Sequence, residues 1–232
     1  MARERFVITG ASRGIGRAIA LRLASQERSL LVHGRDREAL QVTADAVVER
    51  GGRATCLTAD LSLPAQIESM VAAVGNDPVN GLINNAGMSV VKPVGEITME
   101  EWQASLAINV TAPFVLSQRL LPLMPPGAVI VNIMSIAARV GFPGWSSYCA
   151  CKFALEGFTQ SLRGELRPRG IRVINVYPSA TNTDIWNGVE GEWPREKMLD
   201  PSQVADAVAF AVERPHDVLV DTINVGNVAG TL

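Results

Sequence analysis

The stretch Thr9-Gly10-Ala11-Ser12-Arg13-Gly14-Ile15-Gly16 defines the first structural unit of this chain. It follows a short apolar run, Phe6-Val7-Ile8, and leads into a segment whose apolar residues Ile15, Ile19 and Leu23 recur at helical spacing. This order predicts a buried strand, a glycine-rich turn and an amphipathic helix. Glycines make the turn tight and let the backbone approach a pyrophosphate, which the free N–H groups at the helix N-terminus attract. The stretch therefore predicts a dinucleotide-binding unit; the alternative is a merely structural turn.

The rest of the chain continues the alternation of strand and helix. Short apolar runs predict strands at Leu30–Val32, Ala54–Leu57, Leu82–Ile83, Val129–Val131, Val173–Val176 and Val218–Val225. Segments of helical period predict helices near 14–26, 36–50, 65–74, 99–123, 147–167 and 201–213. The strand runs are continuously apolar, which is typical of a parallel sheet covered on both faces. The sequence predicts a single α/β domain over residues 1–232, a doubly wound (Rossmann-type) seven-stranded parallel sheet flanked by helices.

Composition and charge exclude several classes of protein. The 232 residues carry 21 basic and 23 acidic side chains, so a nucleic-acid-binding surface is not expected. The charged start, Met1–Phe6, does not resemble a signal peptide, and no run reaches the roughly 18 apolar residues of a membrane span. The cysteines Cys56, Cys149 and Cys151 favour a reducing compartment, and without a histidine cluster they predict no metal site. We therefore expect a cytoplasmic globular protein.

The spacing Gly-x-x-x-Gly-x-Gly differs from the ordinary Gly-x-Gly-x-x-Gly dinucleotide fingerprint. It resembles the first motif of the short-chain dehydrogenase/reductase (SDR) family. Further motifs of that family follow in order: Asn84-Asn85-Ala86-Gly87, Ser135 and Tyr148-Cys149-Ala150-Cys151-Lys152. The resemblance covers essentially the whole chain. It implies an oxidoreductase that transfers a hydride between a nicotinamide cofactor and a small carbonyl or alcohol substrate.

The end of the second predicted strand indicates which nicotinamide cofactor is used. NAD-selective sites place an acid there to hold the ribose 2′-OH, whereas arginine accommodates a 2′-phosphate. Here the strand ends Val32-His33-Gly34-Arg35, and Arg13 lies in the glycine-rich stretch. Two guanidinium groups make charge-assisted bonds to one phosphate, and in the family these positions accompany NADP. We expect NADPH over NADH; the alternatives are that both arginines are solvated or that Asp36 pairs with Arg35 and weakens the preference.

The resemblance also assigns cofactor-binding residues to the ends of several strands. They are Gly10, Ser12, Arg13, Gly14, Ile15, Gly16, Arg35, Asp60, Leu61, Asn85, Ala86, Gly87, Tyr148, Lys152, Pro178, Thr181 and Thr183. For Asp60-Leu61 and Asn85-Ala86-Gly87 the alternative is a strand-end turn stabilised by an Asx side chain. Ser179 is a departure, because the family usually has glycine after the proline, and serine makes a positive φ more costly.

Four residues form the expected catalytic group: Asn109, Ser135, Tyr148 and Lys152. Tyr148 and Lys152 are four residues apart, which puts them on one face of the helix predicted at 147–167. The ammonium, with the charge of the oxidised nicotinamide, is expected to lower the pKa of the phenol from about 10. The resemblance makes Tyr148 the general acid or base and Ser135 a donor to the substrate carbonyl.

Asn109 has a possible role of its own because Pro113 follows four residues later and has no N–H. The Asn109 carbonyl then lacks its helical partner and is free to hold a water that links Lys152 to solvent as a proton relay. The alternative is an asparagine whose bonds are satisfied within a kinked helix.

Residues 184–199 are implied by the resemblance to form a mobile lid over the substrate. Trp186, Trp193 and Met198 predict an apolar or aromatic wall, with Met88, Phe142 and Trp145 opposite; the alternative is that the lid residues only pack the lid down. Arg139 is expected to be solvated rather than to bind a substrate anion. Because a fold does not determine a substrate, the sequence leaves the carbonyl compound and the direction of reaction open.

Two other functions remain as alternatives. A non-catalytic NADP(H)-binding regulatory protein would share the glycine-rich turn but would not need Ser135, Tyr148 and Lys152 together. A sugar-nucleotide epimerase or dehydratase would add a C-terminal substrate domain, for which residues 226–232 leave no room. The resemblance also implies a homodimer or homotetramer built on the helices at 99–123 and 147–167.

Overall fold

Seven strands form one parallel sheet in the computed structural model, which describes residues 3–189, 191 and 193–228. The strands are β1 Glu4–Ile8, β2 Arg28–Gly34, β3 Arg53–Thr58, β4 Gly81–Asn84, β5 Val129–Ile133, β6 Arg172–Pro178 and β7 Thr222–Val225. Their order is β3-β2-β1-β4-β5-β6-β7, so the direction of winding reverses between β1 and β4. Ligands of doubly wound folds bind at the carboxyl edge of such a reversal. The predicted fold class is confirmed.

Helices cover both faces of the sheet. They are α1 Gly14–Leu23, α2 Arg37–Glu49, α3 Pro64–Val74, α4 Met99–Leu106, α5 Ala112–Leu120, α6 Ser146–Leu166 and α7 Pro201–Val212. One apolar layer joins the sheet to α1, α2 and α7, and the other joins it to α3, α5 and α6. In β1, Phe6 and Ile8 enter the first layer while Val7 enters the second. Alternate side chains are therefore buried on opposite faces, which explains the continuous apolar runs.

The helix predicted over 99–123 is interrupted in the structure. A π-helical segment, Ala107–Thr111, separates α4 from α5, and a 3₁₀ turn, Leu121–Leu123, follows. Pro113 has no N–H to give to the carbonyl of Asn109, and the N–H of Ala112 bonds the carbonyl of Ala107 five residues earlier. The helix predicted over 99–123 is therefore present but distorted here, like the kinked helix given as the alternative for Asn109.

Some element boundaries also differ from the prediction. The last strand begins at Thr222 rather than Val218, because the carbonyl of Val218 accepts a hydrogen bond from the buried guanidinium of Arg172. The first helix ends at Leu23 rather than residue 26. The predicted start of the last helix is confirmed, since Asp200 caps it and Gln203 completes the capping box.

A row of buried amide side chains crosses three neighbouring strands near their carboxyl ends. Asn84, Asn132 and Asn175 are register partners on β4, β5 and β6. Asn84 donates to Asn132 at 2.9 Å, and Asn132 donates to Asn175 at 3.2 Å. We call these three residues the amide row. Because a slip of one residue would separate the amides, the row fixes the register of the strands that lead to the site.

One segment, Met99–Leu123, is long and apolar enough to cross a membrane by length and composition alone, with a mean hydropathy of 1.2. In the structure Ala112, Leu116 and Leu120 of this segment are buried against the sheet. Core helices of soluble proteins meet the same criterion, so the segment is weak evidence for a membrane span.

Candidate active site

The glycine-rich turn between β1 and α1 has a backbone that favours glycine. Gly10 and Gly14 have φ values of 65° and 54°. A Cβ on Gly16 would lie 2.1 Å from the carbonyl oxygen of Gly10, so this residue lets helix and turn pack closely. Since α1 begins at Gly14, the free N–H groups of its first turn lie at the turn.

Side chains from two other strands hold this turn in place. The Asn85 amide donates to the carbonyls of Thr9 at 2.9 Å and Gly10 at 3.1 Å. The N–H of Gly10 meets Nδ1 of His33 at 3.3 Å, while Nε2 of His33 lies 3.0 Å from the carbonyl of Ala59. Burial lowers the pKa of His33, which favours the neutral ring that can accept on Nδ1 and donate from Nε2. His33 therefore holds the glycine-rich turn in place at the edge of the cavity described next.

A cavity of about 950 Å³ runs along the carboxyl edge of the sheet. Every predicted site residue lines it except Gly16, which is buried behind the turn. Asp60 lines the cavity and also makes the strand-end turn given as its alternative, because it accepts bonds from the N–H and hydroxyl of Ser62. The structure therefore brings the motifs of the sequence to one continuous site.

Tyr148, Lys152 and Ser135 meet at one end of this cavity. Tyr148 and Lys152 lie on α6, where the Lys152 ammonium is 5.5 Å from the centre of the Tyr148 ring. Lys152 is buried and donates to the carbonyl of Ile133, at the end of β5, at 2.8 Å. The Ser135 hydroxyl accepts from the N–H of Ala137 at 3.1 Å, so its own hydrogen is available to a ligand or to Tyr148.

Burial controls the protonation of this group. It raises the pKa of Tyr148 to about 12, against a smaller lowering by the hydrogen bond with Ser135. It lowers the pKa of Lys152 from 10.5 to about 8. The expected lowering of the phenol pKa involves the charge of the oxidised nicotinamide as well as Lys152 and stays a prediction; in the protein alone, loss of hydration raises this pKa. At neutral pH the site therefore holds a phenol that keeps its proton.

Asn109 lies in the π-helical segment, next to this group, and is buried. Its amide nitrogen donates to the carbonyls of Met88 and Ser105, both at 2.9 Å, and its amide oxygen accepts from the N–H of Met88 at 3.3 Å. The side chain is thus fully used in joining the helix to the strand-four loop. Any further role falls to its main-chain carbonyl, as the sequence argument proposes.

The other end of the cavity carries Arg13 and Arg35. Nε of Arg13 lies 3.7 Å from a carboxylate oxygen of Asp184, and both side chains are exposed. Asp36 does not pair with Arg35 within the described residues; instead it caps α2 by accepting from the N–H groups of Glu38 and Ala39. The alternative in which Asp36 weakens the arginine site is therefore not what the structure shows, because this carboxylate caps a helix.

The segment after β6 follows the predicted path despite Ser179. No residue other than glycine has a positive φ in the part of the chain that the structure describes, so Ser179 is unstrained. The buried Thr181 hydroxyl donates to the carbonyl of Ser179 at 2.9 Å. Thr183 packs against Gly14, where a Cβ would lie 3.1 Å from its methyl group.

Aromatic side chains wall the cavity beside Tyr148. The ring centroids of Trp145 and Tyr148 are 5.8 Å apart, those of Trp145 and Trp186 5.7 Å, and those of Trp186 and Trp193 4.8 Å. Met88 and Phe142 also line this end. Met198 was expected in the wall but is buried and does not line the cavity. The lid residues Glu190 and Glu192, like 229–232 of the tail, lie outside the described residues.

Comparison with known proteins identifies the family to which these motifs belong. The model of the short chain dehydrogenase family matches residues 4–192. The chain belongs to the short-chain dehydrogenase family. Among its relatives, hydroxynaphthalene reductase arp2 of Aspergillus fumigatus is 29% identical over 209 residues, 89% of this chain and 76% of that protein. Such a match supports an oxidoreductase fold and site.

Two solved structures are similar over nearly the full chain. Landomycin C-6 ketoreductase LanV with bound NADP and rabelomycin is 30% identical, with a TM-score of 0.86, and the match covers 99% of this chain and 98% of that one. A blue fluorescent protein from a metagenomic library, in complex with NADPH, is 31% identical, with a TM-score of 0.88 and 97% coverage of both chains.

Several residues that line the cavity of this short-chain dehydrogenase were not assigned to the site from the sequence. Ser89 and Ile108 line the cavity, but they belong to no motif and are exposed there only by the loop after β4 and the π-helical segment. Arg139 is exposed, as expected, and does not line the cavity; its guanidinium lies 3.8 Å from the centre of the Tyr177 ring and bonds the side chain of Asn224. Among the described residues no cluster of potential metal ligands occurs, and the three cysteines are free.

Proposed function

We propose that the protein is an NADPH-dependent oxidoreductase that reduces a ketone or aldehyde to an alcohol, or catalyses the reverse, with Tyr148 as general acid or base. One observation carries the proposal: Tyr148, Lys152 and Ser135 lie at one end of a cavity whose other end is lined by the glycine-rich turn, Arg13 and Arg35. The residues that would react with the substrate and those that would bind a long anionic cofactor thus line the same cavity.

The residues present fit NADP. Gly10, Gly14 and Gly16 leave the room that a backbone needs to approach a pyrophosphate, at the N-terminus of α1. Arg13 and Arg35 are the cations for a 2′-phosphate, and the remaining binding residues are those assigned from the sequence. LanV and the metagenomic protein, both similar over the whole chain, contain NADP and NADPH. When bound, NADPH supplies the hydride.

The roles of the protein's own groups follow from their contacts. Ser135, oriented by Ala137, donates to the substrate carbonyl oxygen, and Tyr148 gives that oxygen its proton. Lys152, anchored on Ile133, stabilises the phenolate that remains and holds the nicotinamide ribose. The Asn109 carbonyl holds a water that returns a proton through Lys152.

The test is NADPH and NADH oxidation over a panel of aldehydes, ketones, diketones and quinones. We expect turnover with NADPH for at least one carbonyl compound. If NADPH binds tightly but no compound in a broad panel is reduced or, as an alcohol, oxidised, the protein is a non-catalytic NADP(H)-binding regulator and the proposal is wrong.

Replacing Arg35 by serine tests the cofactor preference. A charge-assisted hydrogen bond contributes about 1.5–3 kcal/mol, so KM for NADPH rises by about 10- to 100-fold while KM for NADH is unchanged. Arg37→Ser is the matched control, because Arg37 begins α2 two residues later and does not line the cavity. Equal losses with both cofactors would contradict a 2′-phosphate contact.

We also propose a cytoplasmic homodimer or homotetramer built on α5 and α6. Phe114 and Phe153 expose 44% and 46% of their surface on these helices, and Gly157 and Gly164 leave open space beside them. Three free cysteines agree with a reducing compartment. The domain as proposed spans the whole chain, with residues 184–199 as the lid.

A further inference from the structure

Three of the four tryptophans of this chain meet at the reactive end of the cavity. Trp145 precedes α6, whereas Trp186 and Trp193 belong to the lid. Their rings pack edge-to-face or tilted against one another, with centroids 4.8–6.3 Å apart. Trp145 in turn packs edge-to-face on Tyr148. We call these three residues the tryptophan row; it ends on the ring that carries the reactive hydroxyl.

The lid part of the row is held in place by the protein itself. Nε1 of Trp186 donates to the carbonyl of Thr181 at 2.9 Å. The Arg195 guanidinium bonds the side chains of Asn182 at 3.0 Å and Asn187 at 2.9 Å, and the carbonyl of Thr183 at 2.8 Å. These bonds tie the lid to the loop after β6. The Trp186 indole is therefore held in place before any ligand enters, which reduces the entropic cost of binding.

The charged side chain at this end of the cavity already has a partner within the protein. Among the described residues that line this end, Lys152 is the charged one, and its buried ammonium donates to the carbonyl of Ile133. Asp184 pairs with Arg13, which belongs to the glycine-rich turn rather than to this end. The walls themselves are formed by residues such as Met88, Phe142 and the tryptophan row. Among the described lining residues of this end, a carboxylate or phosphate on the substrate would meet no cation other than the buried Lys152, so an uncharged substrate is favoured.

We infer that the substrate is an uncharged, planar fused-ring aromatic ketone or quinone, whose ring system packs in the tryptophan row and so brings a carbonyl to Tyr148 and Ser135. The inference rests on the proposed function and adds the class of substrate. Rigid indole faces interact with another aromatic ring beyond the effect of buried area, in offset or edge-to-face geometry. A flexible aliphatic ketone gains only the free energy of burying its apolar surface, without the ring–ring interaction.

The test compares 2-tetralone with 2-decalone. Both are bicyclic ketones whose carbonyl is not conjugated, and they differ in the aromatic ring. We expect kcat/KM with NADPH to be about tenfold higher for 2-tetralone. In Trp186→Leu the two values become nearly equal, through a rise in KM for 2-tetralone. In Trp102→Leu, the fourth tryptophan, on α4 and outside the cavity, the preference stays. Equal wild-type values, or equal losses for both ketones in Trp186→Leu, would overturn the inference.

A binding measurement separates this inference from the proposed function. Titration calorimetry of the protein with 2-naphthol and with decahydro-2-naphthol, in the presence of NADP, needs no turnover. Binding of 2-naphthol that is about tenfold tighter than that of the saturated alcohol, and is lost in Trp186→Leu, supports the aromatic site even if no ketone is reduced. Reduction of ketones without any aromatic preference leaves the proposed function intact and refutes the substrate class.

Discussion

Tyr148→Phe lowers kcat for carbonyl reduction by about 10²- to 10⁴-fold, the usual effect of losing a positioned general acid. Phenylalanine keeps the ring that packs on Trp145 at 5.8 Å, so the cavity retains its shape and the dissociation constant of NADPH is unchanged. Steady-state turnover with the best substrate of the panel, together with a fluorescence titration of NADPH, measures both quantities.

The other tyrosine of the chain gives a matched control. Tyr177 bonds Glu156 and stacks with Arg139, and it does not line the cavity. Tyr177→Phe therefore removes a buried phenol hydroxyl without touching the reacting group, and kcat is retained. Wild-type turnover in Tyr148→Phe would refute the mechanism, and a parallel loss of NADPH binding would assign Tyr148 a structural role.

Lys152→Met abolishes measurable turnover and at the same time makes the free protein more stable. Burial that lowers the pKa of Lys152 from 10.5 to about 8 means that its charge opposes folding at neutral pH. The difference between these two pKa values corresponds to a destabilisation of the folded state by about 3 kcal/mol, which Lys152→Met removes. The same substitution loses the hydrogen bond to the carbonyl of Ile133, which costs about 1 kcal/mol. The free energy of unfolding at pH 7 therefore rises by about 2 kcal/mol, as urea denaturation measures.

The pH dependence distinguishes charge burial from ordinary repacking. Between pH 8 and 10.5 unfolded Lys152 binds more protons than folded Lys152, so its unfavourable contribution is complete below pH 8 and disappears as the pH rises through this window. The stability advantage of Lys152→Met consequently shrinks from pH 7 to pH 10.5. Lys197→Met, at an exposed lysine of the lid, shows no such trend. An advantage that is constant with pH would contradict a buried charge.

Parts of the site that depend on local constraints could be predicted from the sequence. Positive φ at Gly10 and Gly14 requires glycine, and a spacing of four residues brings Tyr148 and Lys152 to one helix face. Apolar runs buried on both sides gave the parallel sheet. Each of these features depends either on residues that are close in sequence or on a single backbone conformation that only one residue type readily adopts.

Features that depend on several elements at once could not be predicted. The raised pKa of Tyr148 results from burial by α6, the lid and the loop after β5, which no local pattern contains. Likewise, Met198 looks like a wall residue, but the path of the lid buries it elsewhere. The π-helical segment needs both Pro113 and the bonds from Asn109 to the strand-four loop.

The amide row has a consequence for how this protein can change during evolution. Asn84, Asn132 and Asn175 bind β4, β5 and β6 to one another, and these strands lead to Asn85-Ala86-Gly87, to Ser135 and to Pro178, the last residue of β6. Among the described residues, Trp186 of the lid is bonded to the carbonyl of Thr181 and meets the reacting group only through Trp145. Mutations in the lid can therefore change which substrates the enzyme binds while the strands keep the spacing of the reacting atoms. Substrate selectivity can thus evolve without a change in the chemistry.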